Sequence, residues 1–364
     1  MVGESKVGIM ARIEDVDKNF IMDGDDSGLH YISCLTEPIR ITGLAWLKEN
    51  GNFHRLKPEH LPHVNKGMQE LSPHTPGVQV CFRTNSSRVS VRAKNGWNYR
   101  MQHMAINGSS GIDVYLGSGT KKQYFKTVFA GVGEDSFGAV LSFDGKEHEF
   151  TLNLPLYSGI DELLIGLEEN ASLKAPTKHR VEKPVIFYGS SITQGACASR
   201  PGLAYFNALS RWLDFAPVNF GFSGSALGEE YVARFLAELE MSVFVMDYDH
   251  NAPDAAYLQK THEPFFRIIR EKNPDLPVVF VSLPNRPDSD PECMARKQII
   301  LNTYHNALAA GDTKVWFADG SKMWGKTSRQ REFCTVDGLH PNDMGFYGMA
   351  KGLYPILKEI LKTL

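Results

Sequence analysis

From about residue 38 to 168, apolar and polar positions alternate in short runs. "VQVCFRT" (78–84) and "SSRVSVRAK" (86–94) flank an Asn-Ser turn, and "EHEFTLNLP" (147–155) follows the hairpin signal Asp144-Gly145. "DELLIGLEE" (161–169) closes the set. A period of two suits strands with one face buried, and long helical periodicity is missing. The pattern predicts an antiparallel β-sandwich over 38–170, with residues 1–37 carrying no readable pattern. The aromatics Trp97, Tyr99 and Tyr115 read as core.

After the polar connector "ENASLKAPTKHRVEK" (169–183) the pattern changes. Near-continuous apolar runs now alternate with helical stretches. "PVIFYG" (184–189), "PVNFGF" (217–222), "SVFVMDYD" (242–249), "LPVVFVSLP" (276–284) and "TKVWFADGS" (313–321) are the runs. Helices are expected near 202–213, 228–240, 255–271, 291–309 and 342–364. Strands covered on both faces lose their alternation, so five such βα units predict a three-layer α/β domain over 184–364, built on a parallel five-stranded sheet.

Composition narrows the function. The 364-residue chain carries a formal charge of −3, with 42% hydrophobic and 22% charged residues. Its basic residues are scattered, so neither nucleic acid nor an anionic membrane is an expected partner. Five widely spaced cysteines without a C-x-x-C argue against a disulfide framework or a structural zinc site. The N-terminus lacks a signal-peptide core, and no 18-residue apolar run occurs. A cytoplasmic location is expected, with a periplasmic or secreted protein that has shed its leader as the alternative.

Open parallel sheets bind ligands beyond the carboxyl ends of their strands. The residues there are Ser190 and Ser191 after the first run, Ser223-Gly224-Ser225 after the second, and Asp249-His250-Asn251 after the third. The loop before the last helix carries "VDGLHPND" (336–343). Together they supply the parts of an acyl-transfer site. Ser191 is the expected nucleophile, with Ser190 the weaker candidate and one of the two capping the next helix. His340 is the expected base, and Asp337, three residues earlier, its orienting acid. The Ser191 and Gly224 N–H groups and the Asn251 carboxamide are candidate oxyanion donors. His250, Asp249 and Arg200 are candidate substrate contacts. Asp247, at the end of an apolar run, reads as buried and hydrogen-bonded. Cys197 lies nearby but has no flanking pattern of a nucleophile.

"GSSITQG" (189–195) resembles the first block of the SGNH (GDSL-type) hydrolases, with Ser190 where their Asp usually stands. "NFGFSGSA" (219–226), "DYDHNAP" (247–253) and "DGLHPND" (337–343) resemble the later blocks in order, although the common G-x-N-D of the third is absent. "GIDVYLGSG" (111–119) is similar to the GxDLY N-terminal domain of one bacterial branch. The resemblance implies a flavodoxin-like sheet of strand order 2-1-3-4-5 and a Ser191, Gly224, Asn251, His340 tetrad completed by Asp337, without metal or cofactor. The expected activity is serine-esterase cleavage of short acyl groups, acetyl first, from a carbohydrate or other small ester. A thioesterase or lipid acylhydrolase is the enzymatic alternative. A non-catalytic carbohydrate-binding protein is the alternative of another class.

Overall fold

The structure is a computed structural model that describes residues 24–98, 101–129, 134–284, 290–325 and 327–363. Most of the unassigned N-terminal segment, the Trp97 side chain and Tyr99 lie outside the described residues. The N-terminal half contains β1 (Leu29–Ser33), β2 (Arg40–Thr42), β3 (Gln79–Thr84), β4 (Arg88–Asn98), β5 (Ile112–Leu116), β6 (Gln123–Val128), β7 (Ser136–Ser142), β8 (His148–Asn153), β9 (Ser158–Glu168) and β10 (Leu173–Lys174). One antiparallel sheet runs β1-β9-β4-β7 and the other β10-β3-β8-β5-β6, with β2 paired to β3. Val80, Phe82, Val114, Phe150 and Leu152 from the second sheet meet Val89, Val91, Leu163 and Ile165 from the first in one apolar core. This is the sandwich the alternation predicts.

Two details differ from the sequence reading. The Asp144-Gly145 turn joins β7 to β8, strands of different sheets, so it is a sandwich corner rather than a hairpin, and the turn at 85–87 likewise carries the chain from β3 in one sheet to β4 in the other. Residues 46–72 also contain three short helical pieces, Leu47–Asn50, Pro58–His63 and Lys66–Leu71. Leu56, Val64, Met68 and Leu71 of this segment pack with Trp46 into the core of the C-terminal half. Trp46 sits edge-on to Phe220 and Phe235 at 5.7 and 5.8 Å between ring centroids. Pieces this short show no helical period, because they cover a ready-made apolar surface rather than forming one of their own.

The C-terminal half holds β11 (Val181–Gly189), β12 (Phe215–Gly221), β13 (Val243–Asp247), β14 (Val278–Val281) and β15 (Val315–Ala318). They form a parallel sheet in the order β12-β11-β13-β14-β15, which is 2-1-3-4-5. Alternate residues of each strand feed opposite layers. Ile186, Tyr188, Phe244, Met246, Val278 and Phe280 pack towards α2 (Glu230–Ala237), α3 (Ala255–Lys272) and α4 (Pro291–Ala309). Val185, Phe187, Val243, Val245, Val279 and Val281 pack towards α1 (Tyr205–Leu213) and α5 (Asp343–Lys362). Both faces are apolar, which explains the continuous runs in the sequence. No helix among the described residues is long and apolar enough to cross a membrane.

Candidate active site

β11 ends at Gly189, and the chain turns at once into the short helix Ser191–Gln194. Ser190 is its N-cap: its side chain accepts the Ile192 N–H at 3.2 Å. That hydroxyl is fully buried, whereas Ser191 retains 8% exposure. The two serines therefore divide the work, one holding the turn and one facing the rim. The turn is anchored from below by Asp247. The Asp247 carbonyl accepts the Ser190 N–H, and its carboxylate accepts the hydroxyls of Thr193 (3.0 Å) and Tyr205 (2.9 Å). Burial first, and the nearby Asp249 second, push the Asp247 carboxyl up.

The loop ahead of α5 brings in the other two groups. Asn342 caps α5, accepting the Met344 and Gly345 N–H groups, so the helix begins one residue into the stretch expected at 342–364. Thr335 and Pro341 bridge the base of the loop, and Gly338 sits at φ +87°, where a side chain would be strained. The His340 Nε2 lies 3.0 Å from the Ser191 Oγ, and the His340 Nδ1 lies 2.6 Å from Asp337 Oδ2. The other Asp337 oxygen accepts the backbone N–H groups of Leu339 and His340 at 2.9 and 2.7 Å. Burial raises the Asp337 carboxyl, but these hydrogen bonds from His340 and Leu339 prevail and bring it down to about 2. Asp337 is thus an acceptor at neutral pH. It can fix the tautomer that leaves the Nε2 lone pair facing the serine.

Asn251 and Gly224 are brought together, but in a different arrangement from the one expected. The Asn251 Oδ1 accepts the Gly224 N–H at 3.1 Å, and its Nδ2 donates to the carbonyls of Phe222 and Ala226 at 3.0 and 3.1 Å. The carboxamide braces the 222–226 loop. α3 is capped by Asp254, whose side chain accepts the Tyr257 N–H. Asp249 is a second correction. It is buried, with Oδ2 accepting the Leu283 N–H and its carbonyl accepting from Arg296, so it fixes the loop rather than contacting substrate. His250, the next residue, is half-buried in the same loop.

Arg200 is the third correction. Its Nη1 donates to Asp113 Oδ2 at 2.8 Å and to the Tyr115 hydroxyl at 2.7 Å, and its guanidinium lies 3.8 Å from the centre of the Tyr124 ring. The same Asp113 oxygen accepts the Gly202 N–H at 2.7 Å. A Cβ on Gly202 would fall 2.5 Å from the Tyr115 hydroxyl, so only glycine allows the approach. The Asp and Tyr of "GIDVY" thus hold the segment that follows the serine turn, and Arg200 joins the two halves.

Other residues of the N-terminal half also reach the site. The buried Arg55 guanidinium donates to the carbonyls of Asn219, Gly221 and Leu71 and stacks on Phe222 at 4.1 Å. The Tyr157 hydroxyl donates to the Ser191 carbonyl at 3.3 Å. Gln194 bridges the halves: its Nε2 contacts His74 and the Leu156 carbonyl, while its Oε1 accepts the Ser223 N–H. His103, on an exposed turn before β5, lies beside His340 with 5.5 Å between ring centroids. No local pattern in the sequence marks His103, since its neighbour in space is 237 residues away.

Comparison with known proteins bears on the family and the fold. Residues 182–358 match the GDSL-like lipase/acylhydrolase family model, and residues 29–173 match the GxDLY model for the N-terminus of SGNH-hydrolase-type esterases. The chain is an SGNH-type ester hydrolase. A putative GDSL-like lipase from Bacteroides ovatus is similar over 92% of this chain and 98% of its own, at 26% identity and a TM-score of 0.81. Salicylyl-acyltransferase SsfX3 from a tetracycline biosynthetic pathway shares 18% identity over 92% and 98% of the chains, with a TM-score of 0.72. An acetyl xylan esterase from the rumen bacterium Butyrivibrio proteoclasticus shares 12% identity over 92% and 100%, with a TM-score of 0.56. A comparison with curated proteins finds no match.

The cysteine in this hydrolase nearest the site is not set up for nucleophilic work. Cys197 is 5% exposed, and burial first, then the Asp337 charge, pushes its thiol up to about 12. A thiol that stays protonated at neutral pH attacks poorly. Iodoacetamide at pH 8 is expected to leave Cys197 of the folded protein unlabelled, as read by peptide mass spectrometry.

Proposed function

We propose that Ser191, His340 and Asp337 form the catalytic triad of an esterase that removes short acyl groups, acetyl first, from a carbohydrate. The observation that carries this reading is the unbroken hydrogen-bond chain from the Ser191 Oγ through both nitrogens of His340 to Asp337. Ser191 Oγ attacks the ester carbonyl while His340 Nε2 takes its proton. Asp337 stabilises the imidazolium, which then protonates the departing alcohol. A water deprotonated by the same nitrogen releases the acid and restores the serine. The oxyanion is stabilised by the Ser191 N–H and by the Gly224 N–H, which exchanges Asn251 Oδ1 for the new charge.

The 8% exposure of Ser191 supports a small acyl group, because the carbonyl carbon must reach the Oγ through a narrow opening. The sugar portion of the proposal draws on the acetyl xylan esterase, which shares the two-domain fold. The test is a chain-length series. Turnover of p-nitrophenyl acetate is expected to exceed that of the butyrate, and the butyrate that of the octanoate. Rates that rise with chain length would instead support a lipid acylhydrolase. No turnover on any member would support a binding protein.

A further inference from the structure

His103, Asp337 and His340 each present one ligand atom within 4.8 Å of the others, and among the described residues no other group of this kind occurs. His103 comes from the N-terminal half and is exposed; Asp337 and His340 come from the loop before α5. Two imidazoles and a carboxylate are a donor set suited to a divalent transition ion, with a fourth position left for water. Tetrahedral zinc, with bonds of about 2.0–2.2 Å, places its ligand atoms roughly 3–4 Å apart. Rotation of the exposed His103 side chain can close the remaining gap. Asp337 Oδ1 takes two backbone N–H groups of its own loop, whereas Oδ2 meets only the His340 Nδ1, so the carboxylate oxygen with the fewer partners is the one beside the imidazole.

We infer that these three residues form an inhibitory zinc site that shuts the hydrolase by capturing its own His340. The inference rests on the triad reading for the inhibition and on the residue cluster alone for the binding. Two modes of capture are open to the ion, and both stop catalysis. An ion on Nε2 takes the lone pair that would accept the serine proton. An ion on Nδ1 displaces the bond to Asp337 and sends the ring proton to Nε2, which then has no lone pair to offer. In the first mode no proton leaves the ring and in the second one only changes nitrogen, so removal of the ion lets the proton return to Nδ1 and restores the serine–histidine hydrogen bond.

The test uses zinc chloride in a chelator-free buffer with the whole protein. Equilibrium dialysis is expected to show one zinc bound per chain, with p-nitrophenyl acetate turnover falling in step and recovering on addition of EDTA. His103→Ala is expected to keep its turnover in the absence of metal and to need at least about tenfold more zinc for both binding and inhibition, since losing a direct ligand costs no less than losing a supporting one. Magnesium, which prefers all-oxygen octahedral sites, is expected to have no effect. Equal zinc sensitivity of wild type and His103→Ala would overturn the proposal, as would stimulation by zinc or equal inhibition by magnesium. Binding that depends on His103 but leaves turnover untouched would overturn the inhibitory role while keeping the metal site. A Ser191→Ala protein that still turns over substrate would strike the triad reading separately, because dialysis does not depend on activity.

Discussion

Ser191→Ala is expected to lower turnover of p-nitrophenyl acetate by about 10⁶-fold, leaving only the residual rate that oxyanion contacts and substrate binding supply. The reasoning is that Ser191 and His340 act as one unit. Without the hydroxyl, His340 has no attached nucleophile to activate. Without the imidazole, the hydroxyl keeps its proton. His340→Ala is therefore expected to cost about as much, and the double variant no more than either single one. Asp337→Asn should cost less, about 10⁴-fold, because the nucleophile and base remain but the favoured tautomer is lost. Ser191 is small and borders the rim, so its removal should leave the thermal midpoint near that of wild type. Stopped or continuous assays on all four proteins decide the matter. A Ser191→Ala protein with wild-type turnover would remove the triad, whatever the distances between the side chains.

How much of this was readable in the chain differs between the two halves. β11, β13 and β14 were legible because burial on both faces writes a continuous apolar run. Ser191 and the Asp337–His340 pair were legible because each closes a run or shares a loop, so the relevant partners lie within a few residues. The sandwich was legible as a class, but its connections were not. A turn signal such as Asp144-Gly145 states that the chain reverses, not which sheet the next strand joins.

The partners of the candidate site residues were not legible for one physical reason: the sequence shows what a side chain can donate but not which acceptor is nearest. Asn251 has a suitable carboxamide, yet the Phe222 and Ala226 carbonyls reach it first. Arg200 stands near the nucleophile, yet its guanidinium is taken by Asp113 and Tyr115, more than eighty residues earlier. His103 and Arg55 carried no signal, because His340 beside the one and the Asn219 and Gly221 carbonyls bound by the other lie across the junction of the two halves.

That junction is the basis of the second large effect. Arg200→Leu is expected to destabilise the protein by about 3–5 kcal/mol, because it leaves the carboxylate of Asp113 buried without its cation. Asp113 is 0% exposed. Burial raises its carboxyl, and the charge of Arg200 is the largest effect opposing that rise. The hydrogen bonds from Thr127 and Gly202 would remain, but they carry no full positive charge. Adding Asp113→Asn should restore part of the loss, since a neutral amide has no charge to strand. The double variant is therefore expected to be more stable than Arg200→Leu alone, a non-additivity that two independent sites would not show. Urea unfolding of wild type, both singles and the double variant measures it. Because the Arg200 segment follows the serine turn, Arg200→Leu should also lower turnover while Ser191, His340 and Asp337 remain in place. Full stability and full turnover in Arg200→Leu would mean that the sandwich is only attached to the hydrolase. Loss of both, recovered in part by Asp113→Asn, would mean that the GxDLY segment is part of how the active site is held.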